Sequence, residues 1–251
     1  REDLASSSFI TFKNKGELME QLKAESLAMP FVYKTRTEGY DGKGVSIVRN
    51  WSDIEGLNDV PCIVEPLVNI AHEVAIIVAR NAKGDMVTFP ATEMYFHPTA
   101  NLVEYLFSPS SIESSIEQQA IILAKNVAEK LDIVGLLAVE LFVTHEGEVL
   151  INEVAPRPHN SGHHTIEACN VSQYELHLRS LSGLPMIPPV LRQAAVMVNI
   201  LGEPGYEGEV KYEGLAACLQ IDGIHPHIYG KKVTKPFRKL GHVTIVADDL
   251  P

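Results

Sequence analysis

The side chains best placed to do chemistry in this 251-residue chain lie in and just after one hairpin. Leu137 to Val143 and Val149 to Val154 are strand-like runs joined by His145-Glu146-Gly147-Glu148. A four-residue loop spanning 145–148 sets Val143 against Leu150, Phe142 against Ile151 and Glu140 against Glu153. Directly opposed residues have Cβ atoms about 4.5–5.5 Å apart, so two carboxylates there repel unless a proton or a cation lies between them. Oxygen-only ligands of this kind suit magnesium, which takes one or two carboxylates together with substrate phosphates. The plainer alternative is two solvated glutamates on an exposed face. Phe142 and Ile151, expected on that same face, favour the metal.

The chain continues Ala155-Pro156-Arg157-Pro158-His159-Asn160-Ser161-Gly162-His163-His164. Two prolines flank Arg157 and stiffen the backbone that carries it. A guanidinium fixed beside a metal pair suggests anion binding, and its fork suits a planar oxyanion such as bicarbonate; a polar loop with an exposed Arg is the alternative. The spacing of His159, His163 and His164 matches none of the common zinc patterns, which leaves them as hydrogen-bonding or core histidines.

Two further segments could hold a nucleotide. Phe31 to Arg36 and Gly44 to Arg49 read as strands around Gly39-Tyr40-Asp41-Gly42-Lys43, a hairpin with Asp-Gly at its tip. Backbone amides near its glycines could approach phosphates while Lys34 neutralises them. It is no Walker A loop, since Val45 follows Gly44, and taken alone it is a turn. Glu65 and Glu73 bracket Pro66 to His72, a strand edge that could offer backbone groups to adenine and a carboxylate to a ribose.

Helix and sheet are mixed around these segments. Residues 15–25 read as an amphipathic helix opened by a capping box at Asn14 and Glu17. A second capping box, Ser114 and Glu117, opens a helix to about Leu131 with Ile116, Ala120, Leu123, Ala124, Val127 and Leu131 on its apolar stripe. Glu73 to Ala79 alternates and turns at 81–84 into Met86 to Phe89, a further hairpin. Gln173 to Leu181 is a helix. After a linker at 183–189, residues 196–201, 216–221 and 242–246 read as strands of a smaller β-rich unit.

Composition narrows the class of function. Lys plus Arg number 21 against 32 Asp plus Glu, a net charge of −11 that opposes binding to a polyphosphate backbone. Nucleic acid is therefore excluded as the expected partner, whereas a nucleotide is allowed, because a few cations focused in one cleft can oppose the global sign. Cys62, Cys169 and Cys218 form no C-x-x-C pair, which points to a reducing cytoplasm. No apolar run approaches the roughly 20 residues of a membrane helix, so no membrane partner is expected.

Taken in order, FVYKTRTEGYDGKG (31–44), CIVEPLVNIAHE (62–73), AVELF (138–142) and INEVAPRPHNSGH (151–163) resemble the ATP-grasp ligases. Within them the chain is similar to the 5-(carboxyamino)imidazole ribonucleotide synthetases of purine biosynthesis from about residue 9 to about 247. The resemblance implies an α+β ATP-grasp fold over residues 1–183, with a lid subdomain at about 30–66, and a β-rich carboxy-terminal domain at 190–251. It also implies that an amino-terminal nucleotide-fold domain of about a hundred residues, typical of one domain, is absent.

The implied activity is ATP-dependent carboxylation of 5-aminoimidazole ribonucleotide with bicarbonate through carboxyphosphate, with ATP and Mg2+ as cofactors. Lys34 would bind ATP phosphates, Glu65, Pro66, Leu67 and Val68 would line the adenine pocket, Glu73 would hold the ribose, and Asn152 would join the nucleotide-binding set. Glu140 and Glu153 would hold magnesium. Tyr40, Asp41 and Lys43 would face the imidazole ribonucleotide, while Arg157, His159 and Asn160 would surround bicarbonate, carboxyphosphate and the acceptor. Asp41 and His159 are alternatives for accepting the amine proton. Lys231 and Arg238 match the family's carboxy-terminal basic segment as substrate-binding residues. The full-length protein is expected to be a homodimer.

Many ATP-grasp enzymes carry Glu-x-Asn at the second metal ligand; Ala155 stands at the Asn position here, as in this particular family. A formate-dependent ATP-grasp formyltransferase shares Pro-Arg-Pro-His but continues Asp-Thr-Gly, whereas this chain has Asn160-Ser161-Gly162-His163. A nucleotide-binding module without turnover is the alternative of a different class.

Overall fold

The computed structural model describes residues 4–37, 44–98 and 102–248; Tyr40, Asp41 and Lys43 lie outside the described residues. These residues fall into two compact units, one within Ser6–Ile70 and His97–Leu102, the other within Arg1–Ala5, Ala71–Phe96 and Val103–Pro251.

The smaller unit contains β1 (Ile10–Phe12), α1 (Lys15–Lys23), β2 (Phe31–Thr35), β3 (Val45–Val48), α2 (Trp51–Glu55) and β4 (Cys62–Pro66), with a sheet ordered β1-β4-β2-β3. All its pairings are antiparallel. Asn14 Oδ1 accepts from Glu17 N at 2.9 Å, as the capping-box spacing requires, but Glu17 Oε2 reaches Lys13 N at 2.6 Å instead of the cap itself. Strand period does the sorting: Phe31, Tyr33, Cys62 and Val64 are buried with Leu18 and Leu22 of α1, which leaves Lys34 and Glu65 on the other face.

The larger unit holds β5 (Ile70–Arg80), β6 (Met86–Thr88), β7 (Thr92–Phe96), β8 (Val103–Ser108), α3 (Ser114–Lys130), β9 (Gly135–Thr144), β10 (Val149–Ala155), α4 (Thr165–Ala168), α5 (Gln173–Ser182), β11 (Ala194–Leu201), β12 (Gly208–Glu209), α6 (Leu215–Cys218), β13 (Ile224–Ile228), β14 (Val233–Thr234) and β15 (Lys239–Ala247). Nine strands make one sheet in the order β10-β9-β5-β7-β8-β11-β15-β13, with β6 on β5; β12 pairs with β14. The carboxy-terminal strands thus continue the sheet through β8. One sheet face packs on α3 through Val74, Ile76, Leu137, Val139 and Leu141. The other packs Ile77, Leu136 and Ala138 on Leu176 of α5.

Several local expectations are corrected. Glu113, not Ser114, caps α3, and it makes no side-chain bond. The Glu117 carboxylate turns outward to accept from Ala91 N at 2.8 Å, so a tertiary partner displaces the local box. Leu131 is the C-cap and is 53% exposed, beyond the buried stripe. Residues 215–218 are helical instead of extended, in keeping with the helix preference of Leu-Ala-Ala after Gly214, whose φ is +76°.

Leu18 is fully buried in the smaller unit's core. Leu18→Ala should lower that unit's stability by about 2–5 kcal/mol. Amide exchange should quicken across α1 and β2–β4 while β5, β9 and β10 keep their protection; uniform quickening in both units would contradict the division.

Candidate active site

The decisive feature of the β9–β10 hairpin is a register shift. Near the turn Val143 pairs with Val149, Phe142 with Leu150 and Leu141 with Ile151; beyond it Glu140 pairs with Glu153. Asn152 is the extra residue of a bulge. The expected register near the loop was one residue out, so Ile151 joins the α3 face and does not accompany the glutamates. Without the bulge Glu153 would follow Val149 and Ile151 onto that face; with it, Glu153 and Ala155 swing to the face of Glu140.

Three carboxylates share this region. Glu73 lies in phase with Ala75 and Ile77 on β5, and burial alone pushes its carboxyl up to about 7. Glu140, with a side chain 14% exposed, is also pushed up to about 7, first by burial and then by the charges of Glu153 and Glu73. Lys239 and Arg157 oppose that rise. Glu153 and Arg157 are exposed. Arg157 sits in a tight turn, its N–H donating to Ala155 O at 2.9 Å and its Nη1 to Pro158 O at 3.2 Å.

His159 meets Glu140, Nε2 to Oε1, at 3.3 Å. Its Nδ1 accepts from Ser161 N at 3.3 Å and lies 2.9 Å from Ser161 Oγ, so the ring proton sits on Nε2, toward the carboxylate. A Cβ at Gly162 would collide with Ile77 and stand 2.7 Å from Gln173 side-chain atoms, so only glycine fits this turn. His163 stacks on His242 at 4.5 Å between centroids, and His242 on His227 at 4.4 Å. Burial drives the His163 and His164 imidazoles down to about 4 and His242 to about 3, so all three are neutral core groups. Among the described residues no group of three or more His, Cys, Asp or Glu is arranged to hold a metal. Two opposed carboxylates whose charges conflict, with oxygen atoms only, do fit a magnesium that draws its remaining ligands from phosphates and water.

In the smaller unit Lys34 Nζ lies 2.8 Å from Glu65 Oε2. Glu65 pairs with Val32, two residues before Lys34, so the two side chains meet diagonally on the face away from the core. A cavity of about 340 Å³ in this unit is walled by Phe9, Ile10, Met29, Phe31 and Val64, with Glu65 and Pro66; Leu67 and Val68 follow β4 outside that lining. Lys231 Nζ donates to Lys239 O at 2.6 Å and Arg238 Nη1 to Val233 O at 2.9 Å. Both of these cations bind backbone carbonyls, and the lysine whose charge reaches Glu140 is Lys239, which the motif reading passed over. Its place next to Arg238 at the start of a strand, where neighbours face opposite ways, was the available signal. Gln173 and Asn199, which grip the 159–162 turn, had none.

The ATP-grasp domain profile matches residues 1–174, and that of the phosphoribosylaminoimidazole carboxylase C-terminal domain matches residues 195–251. The N5-carboxyaminoimidazole ribonucleotide synthase of Bacillus subtilis is 39% identical over 238 residues, 93% of this chain and 60% of that protein. The crystal structure of N5-carboxyaminoimidazole ribonucleotide synthetase from Thermotoga maritima superposes with a TM-score of 0.87 at 39% identity, covering 98% of this chain and 64% of that one. An Aspergillus clavatus N5-carboxyaminoimidazole synthase, solved with ADP and 5-aminoimidazole ribonucleotide, gives a TM-score of 0.87 at 28% identity over 98% of this chain and 65% of that one. The chain therefore spans about three-fifths of the length of these relatives.

Glu140→Gln isolates the energetic consequence of the carboxylate pair. Between its ordinary value of 4.5 and about 7, folded Glu140 holds a proton that the unfolded chain has released, so this residue's contribution to stability falls as pH rises through that window. The depressed histidines act in the opposite sense, favouring the folded state as pH rises from about 4 to 6.5. The variant-minus-wild-type melting difference cancels the histidines and should grow from pH 5 to pH 8 in ligand-free protein. A difference that shrinks over that range would contradict the assignment.

Proposed function

The chain belongs to the ATP-grasp family, in the branch of the N5-carboxyaminoimidazole ribonucleotide synthases, and from that membership we propose that it serves ATP-dependent carboxylation of 5-aminoimidazole ribonucleotide with bicarbonate. The observation that carries the reading is the bulge that opposes Glu140 and Glu153 four residues ahead of Arg157. Residues 1–183 are taken as the ATP-grasp region and 190–251 as the carboxy-terminal domain. The working protein is read as a cytoplasmic homodimer; its three cysteines are free thiols.

Lys34 binds ATP phosphates in this reading, Glu65 to Val68 the adenine, Glu73 the ribose, with Asn152 beside the nucleotide. Glu140 and Glu153 hold magnesium, which supplies charge neutralisation at the phosphates when bound. A bicarbonate oxygen attacks the γ-phosphorus, the bond to the β-phosphate oxygen breaks, and ADP and carboxyphosphate result. Arg157 grips carboxyphosphate through two oxygens and keeps it beside the acceptor, with Tyr40, Asp41 and Lys43 on the ribonucleotide and Lys231 and Arg238 as further anion contacts. Carboxyphosphate releases phosphate and carbon dioxide; the amine nitrogen bonds to carbon and gives up one proton. Asp41 and His159 are the alternative acceptors of that proton.

Two measurements test this. In the full-length protein, isotope-labelled bicarbonate should enter an acid-labile product and formate should not support turnover; a stable formyl product would move the chain to the formyltransferases. Arg157→Lys keeps the charge but loses the two-point grip, so carboxylation should fall about a hundredfold with ATP affinity nearly unchanged, whereas Lys34→Met should weaken ATP itself. Equal loss of ATP affinity in both variants would place Arg157 with the triphosphate.

A further inference from the structure

Two buried side-chain amides grip the turn that carries His159. Gln173, fully buried at the start of α5, accepts from His159 N and donates to His159 O, both at 2.8 Å. It satisfies both backbone groups of that residue as a neighbouring strand would. Asn199, 6% exposed in β11, does the equivalent for the next side chain. Asn160 Nδ2 donates to Asn199 Oδ1 at 2.8 Å, and Asn199 Nδ2 donates to Asn160 Oδ1 at 3.0 Å. The other hydrogen of Asn199 Nδ2 goes to Val103 O of β8 at 2.8 Å, which fixes which way the amide points.

We propose that Asn160 is a brace and not a substrate ligand, and that Asn199 is a positioning residue acting through it to hold His159 against Glu140. The reciprocal pair engages the Asn160 carbonyl and one of its amide hydrogens inside the protein, and it ties the turn to two adjacent strands of the sheet. Asn160 is bonded directly to His159, so any slip of the brace moves the imidazole. The Nε2–Oε1 contact is already 3.3 Å, and a few tenths of an ångström more would lose it. The kinetic part of this inference rests on the carboxylation reading; the positioning part does not.

The test compares Asn160→Ala, Asn199→Ala and the double variant in full-length protein, by steady-state carboxylation and by the 15N shifts of the His159 imidazole. Each single change should lower kcat about a hundredfold with the ATP KM unchanged, the double should be no worse than the poorer single, and the His159 shifts should move in all three. Asn199→Asp keeps the shape but loses both donated hydrogen bonds; it should act in the same direction and covers alanine variants that fail to fold. Losses that multiply in the double, or an Asn199→Ala enzyme with wild-type kcat beside a crippled Asn160→Ala, would make Asn160 a direct ligand and overturn the proposal. A wild-type protein that makes no carboxylated product would count against the functional reading alone. Unchanged His159 shifts in Asn199→Ala would still overturn the brace.

Discussion

Repulsion between Glu140 and Glu153 is the constraint to which the rest of the larger unit answers. Like charges directly opposed on a hairpin cost stability, and a simple register would have avoided them. The chain instead inserts Asn152 as a bulge, which brings both carboxylates to the same face of the sheet. Burial and the nearby Glu73 aggravate the conflict and raise Glu140 to about 7, while Arg157 and Lys239 relieve it only in part. Strain of this sort persists in a fold when a ligand completes the site, and a divalent cation with phosphate oxygens is the ligand whose chemistry fits.

Such a site needs rigid surroundings, and the turn after β10 provides them through internal hydrogen bonds. Gln173 occupies both backbone groups of His159, Thr165 Oγ1 donates to Gly162 O at 2.6 Å, and Gln173 N donates to Thr165 Oγ1 at 3.0 Å. Each of these groups therefore has a partner, and losing one would leave another unsatisfied. Behind the turn His163, His242 and His227 stack, with Tyr174 OH 2.8 Å from His163 Nδ1, Tyr229 OH 2.8 Å from His242 Nδ1 and Glu167 Oε1 2.8 Å from His227 Nε2. Burial depresses the basicity of His163 and His242, which are therefore neutral aromatic groups at neutral pH.

The smaller unit solves a different problem with the same strand period. Its sheet buries Phe31, Tyr33 and Val64 against α1, and the alternate positions carry Lys34 and Glu65 outward as a close ion pair.

Much of this was legible in the residue order, because local rules dominate there. Period-two alternation located β2, β4, β5, β9 and β10, and the motifs around Lys34, Glu65, Glu140, Glu153 and Arg157 nominated candidate residues in each unit. The opposition of Glu140 and Glu153 was anticipated, though through a uniform register that the hairpin does not have; a bulge leaves no signature in alternation alone. Glu117 read as half of a capping box because spacing cannot reveal that Ala91 N, 26 residues earlier, is the better partner. Residues 216–221 read as a strand because a short apolar run looks the same in either state. Chain order determined which groups could do chemistry and roughly which strands carry them. Only the tertiary structure decided that Asn160 faces Asn199, that Gln173 completes His159 and that Lys239 is the lysine whose charge reaches Glu140, since hydrogen bonds and charge pairs between distant segments exist only once packing has brought those segments together.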